Sequence, residues 1–350
     1  MTDQAATSLP AHNNTETNKR MPTLAPTLAQ TLAQTPTAEL QRSLASTGIW
    51  LDLGAATVRL HSDVPELAEH IKLAYRHFPL VTQADWADLH VHVDKPRSLR
   101  RWFRPQVVFH CDGQFPFEPF PQDSALPMFE WGSNWLIGRR FNHLLLLHAG
   151  VVERDGIALV MPAVPGSGKS TLTAALSLRG WRLLSDEFGS FDPSVQAFRA
   201  MLKPVALKNE SIEVIKRFAP HARFGPDFPK TRKGTVAHLA AETDAVARRH
   251  ELALPGAVVL PRWQAGSATR WMRLRDDVLF NSLAFNAFNY QTLGAAGFHA
   301  ALHLTQRCLG WELVYSDLDD ALAALDAAWP EIVAQQRQLS GAAALAEATP

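Results

Sequence analysis

The stretch LLLLHAGVVERDGIALVMPAVPGSGKSTLTAALSLRGWRLLSDE, residues 144–187, decides the fold. Two apolar runs, LLLLHAGVVE and IALVMPA, flank Arg154, Asp155 and Gly156, the pattern of two strands joined by a tight turn. A glycine-rich loop follows, then an amphipathic helix over 170–179 and a strand over 181–185. The order strand, loop, helix, strand predicts a nucleotide-binding α/β core.

Within the loop, Ala163-Val164-Pro165-Gly166-Ser167-Gly168-Lys169-Ser170-Thr171 fits the phosphate-loop pattern, with Ala163 where the first Gly usually stands. A loop that wraps a triphosphate must turn successive backbone N–H groups inward, and Gly166 and Gly168 permit that path. The predicted phosphate-binding set is Pro165, Gly166, Ser167, Gly168, Lys169, Ser170 and Thr171. In it Lys169 reaches the β- and γ-phosphates, the Ser170 hydroxyl ligates Mg²⁺, and the helix offers its positive end. The next strand ends in Asp186-Glu187, an acidic pair that can hold Mg²⁺ or take a proton from an attacking hydroxyl. His148, in the strand before the loop strand, either faces the same pocket or is a core histidine.

Working outward, residues 1–39 are rich in Thr, Ala, Pro and Gln, which predicts a disordered tail. Residues 40–142 read as a small α+β domain: strands at 48–53 and 57–61 turned at 54–56, a helix at 65–77, strands at 89–93 and 106–110, and a helix at 124–142. Residues 143–330 carry the nucleotide-binding domain. Further strands are expected at 198–201, 205–207, 257–260 and 312–315, and helices at 210–218, 276–288 and 317–328. The stretch 220–235 reads as a long loop, and 331–350 as a flexible tail.

The chain has 350 residues, 47% hydrophobic and 19% charged, with 34 basic and 34 acidic side chains. That balance argues against wholesale nucleic-acid binding. Cys111 and Cys308 are too few for a disulfide framework. The first thirty residues lack a Lys/Arg-led apolar run, and residues 144–161 are interrupted by His148, Glu153, Arg154 and Asp155, so neither a signal peptide nor a membrane span is expected. A cytoplasmic protein is the reading.

The segments HAGVV (148–152), PGSGKST and LLSDE together resemble the catalytic core of HPr kinase/phosphorylase. The resemblance is closer to bacterial HPr-kinase-related kinase A, through PVALKNESIE from Pro204, TRKGTVAHL from Thr231 and VVLPRWQAG from Val258. It implies an HPr-kinase/PEP-carboxykinase-like P-loop core, preceded by the small α+β domain, and an ATP- and Mg²⁺-dependent kinase acting on a hydroxyl such as Ser of a small protein. By position Asp186 is then the general base, Lys169 binds the γ-phosphoryl, His148 lies near the phosphates, and Ser170 and Glu187 serve the metal. A PqqD-like peptide-binding partner and a ring-like homo-oligomer are also implied. The chain departs from the family where Ala163 and Pro165 replace Gly and Ser, and where Glu187 replaces a second Asp. The signature E-[IL]-R-G-x-G is replaced by MLKPVALKNE, which argues against HPr itself as substrate and against reverse phosphorolysis.

Several charged residues remain as site candidates: Lys208 and Glu210 in MLKPVALKNE, Arg232 and Lys233 in the predicted loop, and Arg262 after VVL. A cation there would neutralise the transferring phosphoryl group. His299 and His303 stand at a metal-compatible spacing without a third ligand, and His90 and His92 read as one exposed strand face. Arg97, Arg100, Arg101 and Arg104 with Trp102 and Phe103 suggest an interdomain or protein contact. Two rival functions use the same site: an ATP-binding regulatory or assembly protein that orders residues 220–235, and a kinase of small-molecule hydroxyls.

Overall fold

The alternation in TVRLH buries Val58 and Leu60 and leaves the residues between them half-exposed, as a strand with one solvated face requires. The computed structural model describes residues 30–98, 103–164 and 166–347. Strand β1 (Ile49–Asp52) pairs antiparallel with β2 (Thr57–His61), which runs parallel to β3 (Leu89–Asp94); β4 (Gln106–His110) and β5 (Phe120–Pro121) complete a five-stranded sheet. Helix α1 (Thr37–Ala45) packs on α2 (Pro65–Ala74), and α3 (Ala125–Arg140) lies on β3 and β4. Residues 30–39 are not part of a disordered tail, although their composition suggests one. Thr31 bridges Pro79, Leu32 is buried, and α1 begins at Thr37. Leu32, Leu40 and Leu44 supply the apolar bulk that the preceding Thr/Pro-rich chain lacks. Residues 1–29 and 99–102, the latter holding Arg100, Arg101 and Trp102 of the basic and aromatic cluster, lie outside the described residues.

The decisive stretch forms β6 (Leu145–Arg154), β7 (Ile157–Pro162), α4 (Lys169–Leu178) and β8 (Arg182–Ser185). Asp155 and Gly156 carry positive φ, 57° and 77°, the type I′ geometry that suits a two-residue hairpin. After β8 come β9 (Phe188–Asp192) and β10 (Ala197–Arg199), then β11 (Val205–Lys208), α5 (Glu210–Phe218), β12 (Phe228–Thr231), β13 (Gly234–Leu239) and α6 (Thr243–Ala247). The chain ends with β14 (Leu254–Trp263), β15 (Arg270–Arg273), α7 (Asp276–Phe285), α8 (Tyr290–Leu293), α9 (Ala295–Arg307), β16 (Leu309–Tyr315) and α10 (Leu318–Glu347).

An eight-stranded mixed sheet runs β10-β9-β6-β7-β14-β16-β15, with β8 also on β6. Its centre, β7, β14 and β16, is parallel. The fold is mixed α/β, and one apolar cluster extends from Leu32 to Ile332. A buried knot ties α3 to the segment between β10 and β11. The Lys203 ammonium lies 2.9 Å from Glu130 Oε2 and donates to Ser133 and Asn134, while the Tyr75 hydroxyl donates to Glu130 Oε1 at 2.6 Å.

Two expectations are corrected. Residues 220–235 are not one long loop, because β12 and β13 build a three-stranded sheet with β11. The tail from 331 is helical to Glu347, since Ile332 is buried and Gln336 donates to the carbonyls of Pro255 and Arg307. Among the described residues no helix is long and apolar enough to cross a membrane.

Candidate functional site

The parallel strands β7, β14 and β16 end on one edge, where ligands of open α/β sheets bind, and the glycine-rich loop leaves β7 there. Two neighbours fix it. The Trp263 N–H donates to the Ser167 carbonyl at 2.9 Å, and the Tyr315 hydroxyl donates to the Gly168 carbonyl at 3.2 Å. Gly168 has φ +90°, and a Cβ there would sit 2.5 Å from Tyr315 Oη, so only glycine serves. Gly166, at φ +88°, faces open space. Ala163 keeps a negative φ, which explains why alanine is accepted where the pattern has its first glycine. The Ser167 hydroxyl is buried without a hydrogen-bond partner. Ser170 and Thr171 are half-buried in the first turn of α4, and Pro165 lies outside the described residues.

Asp186 and Glu187 sit in the break between β8 and β9. Both strands pair with β6 in the same register at the break, Val151 with Ser185 and His148 with Phe188, so the acidic pair falls opposite Gly150 and Ala149. The Ser185 hydroxyl accepts the N–H groups of Glu187 and Phe188 at 3.3 and 2.9 Å, shaping the turn. The Lys169 ammonium donates to the Asp186 carbonyl and lies 3.3 Å from its Oδ1, with both side chains buried. Burial pushes the Asp186 carboxyl above its ordinary range, against the pull of Lys169 and with the like charge of Glu187. His148 Nε2 stands 4.0 Å from Glu187 Oε1, and its ring meets Phe288. Burial, then the Lys169 charge, hold His148 below the ordinary imidazole range, against the pull of Glu187 and Asp186.

The remaining candidates divide. Lys208 ends β11 and Lys233 sits in the β12–β13 turn. Asn209 joins them, accepting the Thr235 N–H at 3.1 Å and donating to the Lys233 carbonyl at 3.4 Å. Desolvation and the Lys233 charge lower Lys208, which also feels Glu187 and Asp186, so Lys208 lies within electrostatic reach of the acidic pair, and Lys233 within reach of Lys208. Arg262, near the end of β14, lines a cleft of 1380 Å³ with Gly166 and Ser167. Glu210 and Arg232 are exposed, and among the described residues no contact joins either to the acidic pair. His299 and His303 lie on α9, their rings against Phe298 and Phe191.

Sequence reasoning missed the far wall of the cleft. Asn281, Phe285, Asn286, Phe288 and Tyr290 face the loop across it. Phe285 is 84% exposed and Phe288 51%. The α7–α8 connection is held there by backbone bonds, His148 N–H to the Asn286 carbonyl at 2.7 Å and Phe288 N–H to the Leu146 carbonyl at 2.9 Å. An expected helix running to 288 hid this, because the strand pairing that ends α7 at Phe285 is tertiary.

The loop and the acidic pair together offer a buried hydroxyl without a partner, a lysine and two carboxylates, a set that fits a nucleoside triphosphate with a hard divalent cation. No protein-family model matches the chain, and no curated protein matches it.

Proposed function

We propose that this chain is an ATP-dependent kinase with an HPr-kinase-like P-loop core, which moves the γ-phosphoryl group of MgATP onto a hydroxyl, a protein serine being the acceptor. The observation that carries this reading is the contact of Lys169 with Asp186, a loop lysine against a strand-end carboxylate, at the edge where three parallel strands end. A loop lysine alone speaks only for phosphate binding, whereas the buried carboxylate beside it adds a base.

Ser170 and Glu187 would hold Mg²⁺, which supplies charge neutralisation to the phosphates. The loop N–H groups and the Ser167 hydroxyl cradle the phosphate oxygens. An arriving triphosphate competes for Lys169 and releases Asp186. The Asp186 carboxylate then takes the acceptor hydroxyl's proton as that oxygen bonds to the γ-phosphorus and the bond to the β–γ bridging oxygen breaks, so ADP leaves. Lys208, Lys233 and Arg262 would supply positive charge around the transferring group, where preorganised cations stabilise it. A protein acceptor is supported by the exposed Phe285, Phe288 and Trp263 around the cleft, an apolar wall of the kind that marks protein-interaction sites.

The test is purified protein with MgATP, read by calorimetry for binding and, with a lysate of the cells that make the protein supplying the acceptor, by transfer of the γ-phosphoryl group. Lys169→Met should lose affinity for MgATP. Asp186→Asn should keep affinity and lose turnover by about 100-fold or more, the usual scale of a general base. Equal turnover in Asp186→Asn and wild type would sink the kinase and favour an ATP-gated binding protein.

A further inference from the structure

The solvated face of the first sheet carries a feature the phosphate site does not use. Strand register sets His61 beside His92 and His92 beside His110, so three imidazoles form one row across β2, β3 and β4. Their rings stack at 4.7 Å and 4.4 Å between centroids. Asp94, two residues beyond His92, shares its face. Its Oδ2 is 2.9 Å from His110 Nε2 and 3.6 Å from His92 Nδ1. Its Oδ1 accepts the Asp63 N–H at 3.1 Å, which fixes the carboxylate's orientation.

We infer that His92, Asp94 and His110 form a binding site for a divalent cation of the zinc class, separate from the phosphate site. One ligand atom from each residue lies within 4.8 Å of the other two. A tetrahedral zinc ion with bonds of about 2.0–2.1 Å places its ligand atoms roughly 3.3 Å apart, a spacing the two measured separations bracket. Two imidazoles and one carboxylate select zinc, cobalt or nickel over magnesium, which prefers oxygen alone. The backbone bond to Asp94 is the kind of outer support that orients metal ligands. Convergence of both imidazole lone pairs on one ion requires the stacked rings, now 10° from parallel, to tilt about their terminal torsions, whose wells are broad. The three side chains are 22–35% exposed, so a fourth position opens to water.

The experiment is a Co²⁺ titration of the chelator-stripped full chain in excess Mg²⁺, read by the visible absorption of tetrahedral cobalt, with Zn²⁺ displacement. One equivalent should bind in wild type and equally in Ser170→Ala and His148→Ala. His92→Asn and His110→Gln should each weaken binding by at least about 100-fold, the upper end of the loss seen when only an outer support is removed. Matching metal-free melting curves for the four variants and wild type show that the fold persists, since the two replaced ligands lie on a solvated face. The site is refuted if wild type binds no stoichiometric Co²⁺ or Zn²⁺, or if both histidine variants bind with wild-type affinity.

Discussion

Gly150 should be the least replaceable residue of the β6 strand. It lies opposite Asp186 on one side and beneath α4 on the other, and a Cβ built on it would sit 2.1 Å from Thr173 Oγ1. The Thr173 hydroxyl cannot swing away freely, because it donates to the Lys169 carbonyl at 2.9 Å in the first turn of the loop helix. Gly150→Ala therefore pushes α4, and with it Lys169, off the sheet, and overpacking of this kind costs about 1–3 kcal/mol. Thr173→Ala alone removes a buried hydrogen bond, about 1 kcal/mol. If the two act independently the double variant loses about 2–4 kcal/mol, the sum of those two ranges. If the clash is the cause, the double variant loses only about 1 kcal/mol, since the alanine Cβ then meets no hydroxyl. Urea unfolding of the four proteins measures the cycle, and MgATP calorimetry on the same set should show affinity falling in Gly150→Ala and recovering in the double variant. Additive losses, or a Gly150→Ala protein as stable as wild type, would refute the close-approach argument.

Three further outcomes are expected. Lys203→Met should cost about 3–5 kcal/mol in urea unfolding, because it leaves the buried Glu130 carboxylate without its cation; a loss below about 1 kcal/mol would mean the knot is dispensable. His238 is buried, and burial lowers it from 6.5 to about 4. The unfolded chain therefore binds a proton that the folded chain refuses, and stability present above pH 6.5 should fall by about 3 kcal/mol by pH 4, a slope that His238→Gln flattens. Asp186 must be ionised to act as base and its carboxyl is raised above 3.8, so kcat/KM should fall with decreasing pH through a pKa above that value, and an acid limb at or below 3.8 would contradict the burial argument.

The core of the site was legible because its signals are local. Alternating and continuous apolar runs give β6 and β7, Asp155-Gly156 gives the turn, and the order loop, helix, strand places Lys169 near Asp186. What stayed hidden depends on pairing between distant segments. Residues 220–235 look like a loop, yet β12 and the start of β13 lie within them, and β13 pairs with β11 and brings Lys233 beside Lys208. The cleft wall of Phe285 and Phe288 is fixed by backbone bonds to β6, 142 residues earlier for Phe288 with Leu146 and 138 for Asn286 with His148. The row of His61, His92 and His110 needs the register of three strands, which no spacing in the chain encodes. At both ends composition misled, because a few buried side chains, Leu32 in one segment and Ile332 in the other, outweigh many polar or small neighbours.

The central claim is phosphoryl transfer through Asp186, and label transfer tests it most directly. Wild type and Asp186→Asn are incubated side by side with γ-labelled ATP, Mg²⁺ and a lysate of the cells that make the protein, and the products are separated by size. The account predicts a labelled protein band with wild type that is absent with Asp186→Asn, although both bind MgATP. Identical labelling by the two proteins, or none by either while both bind MgATP, would contradict it.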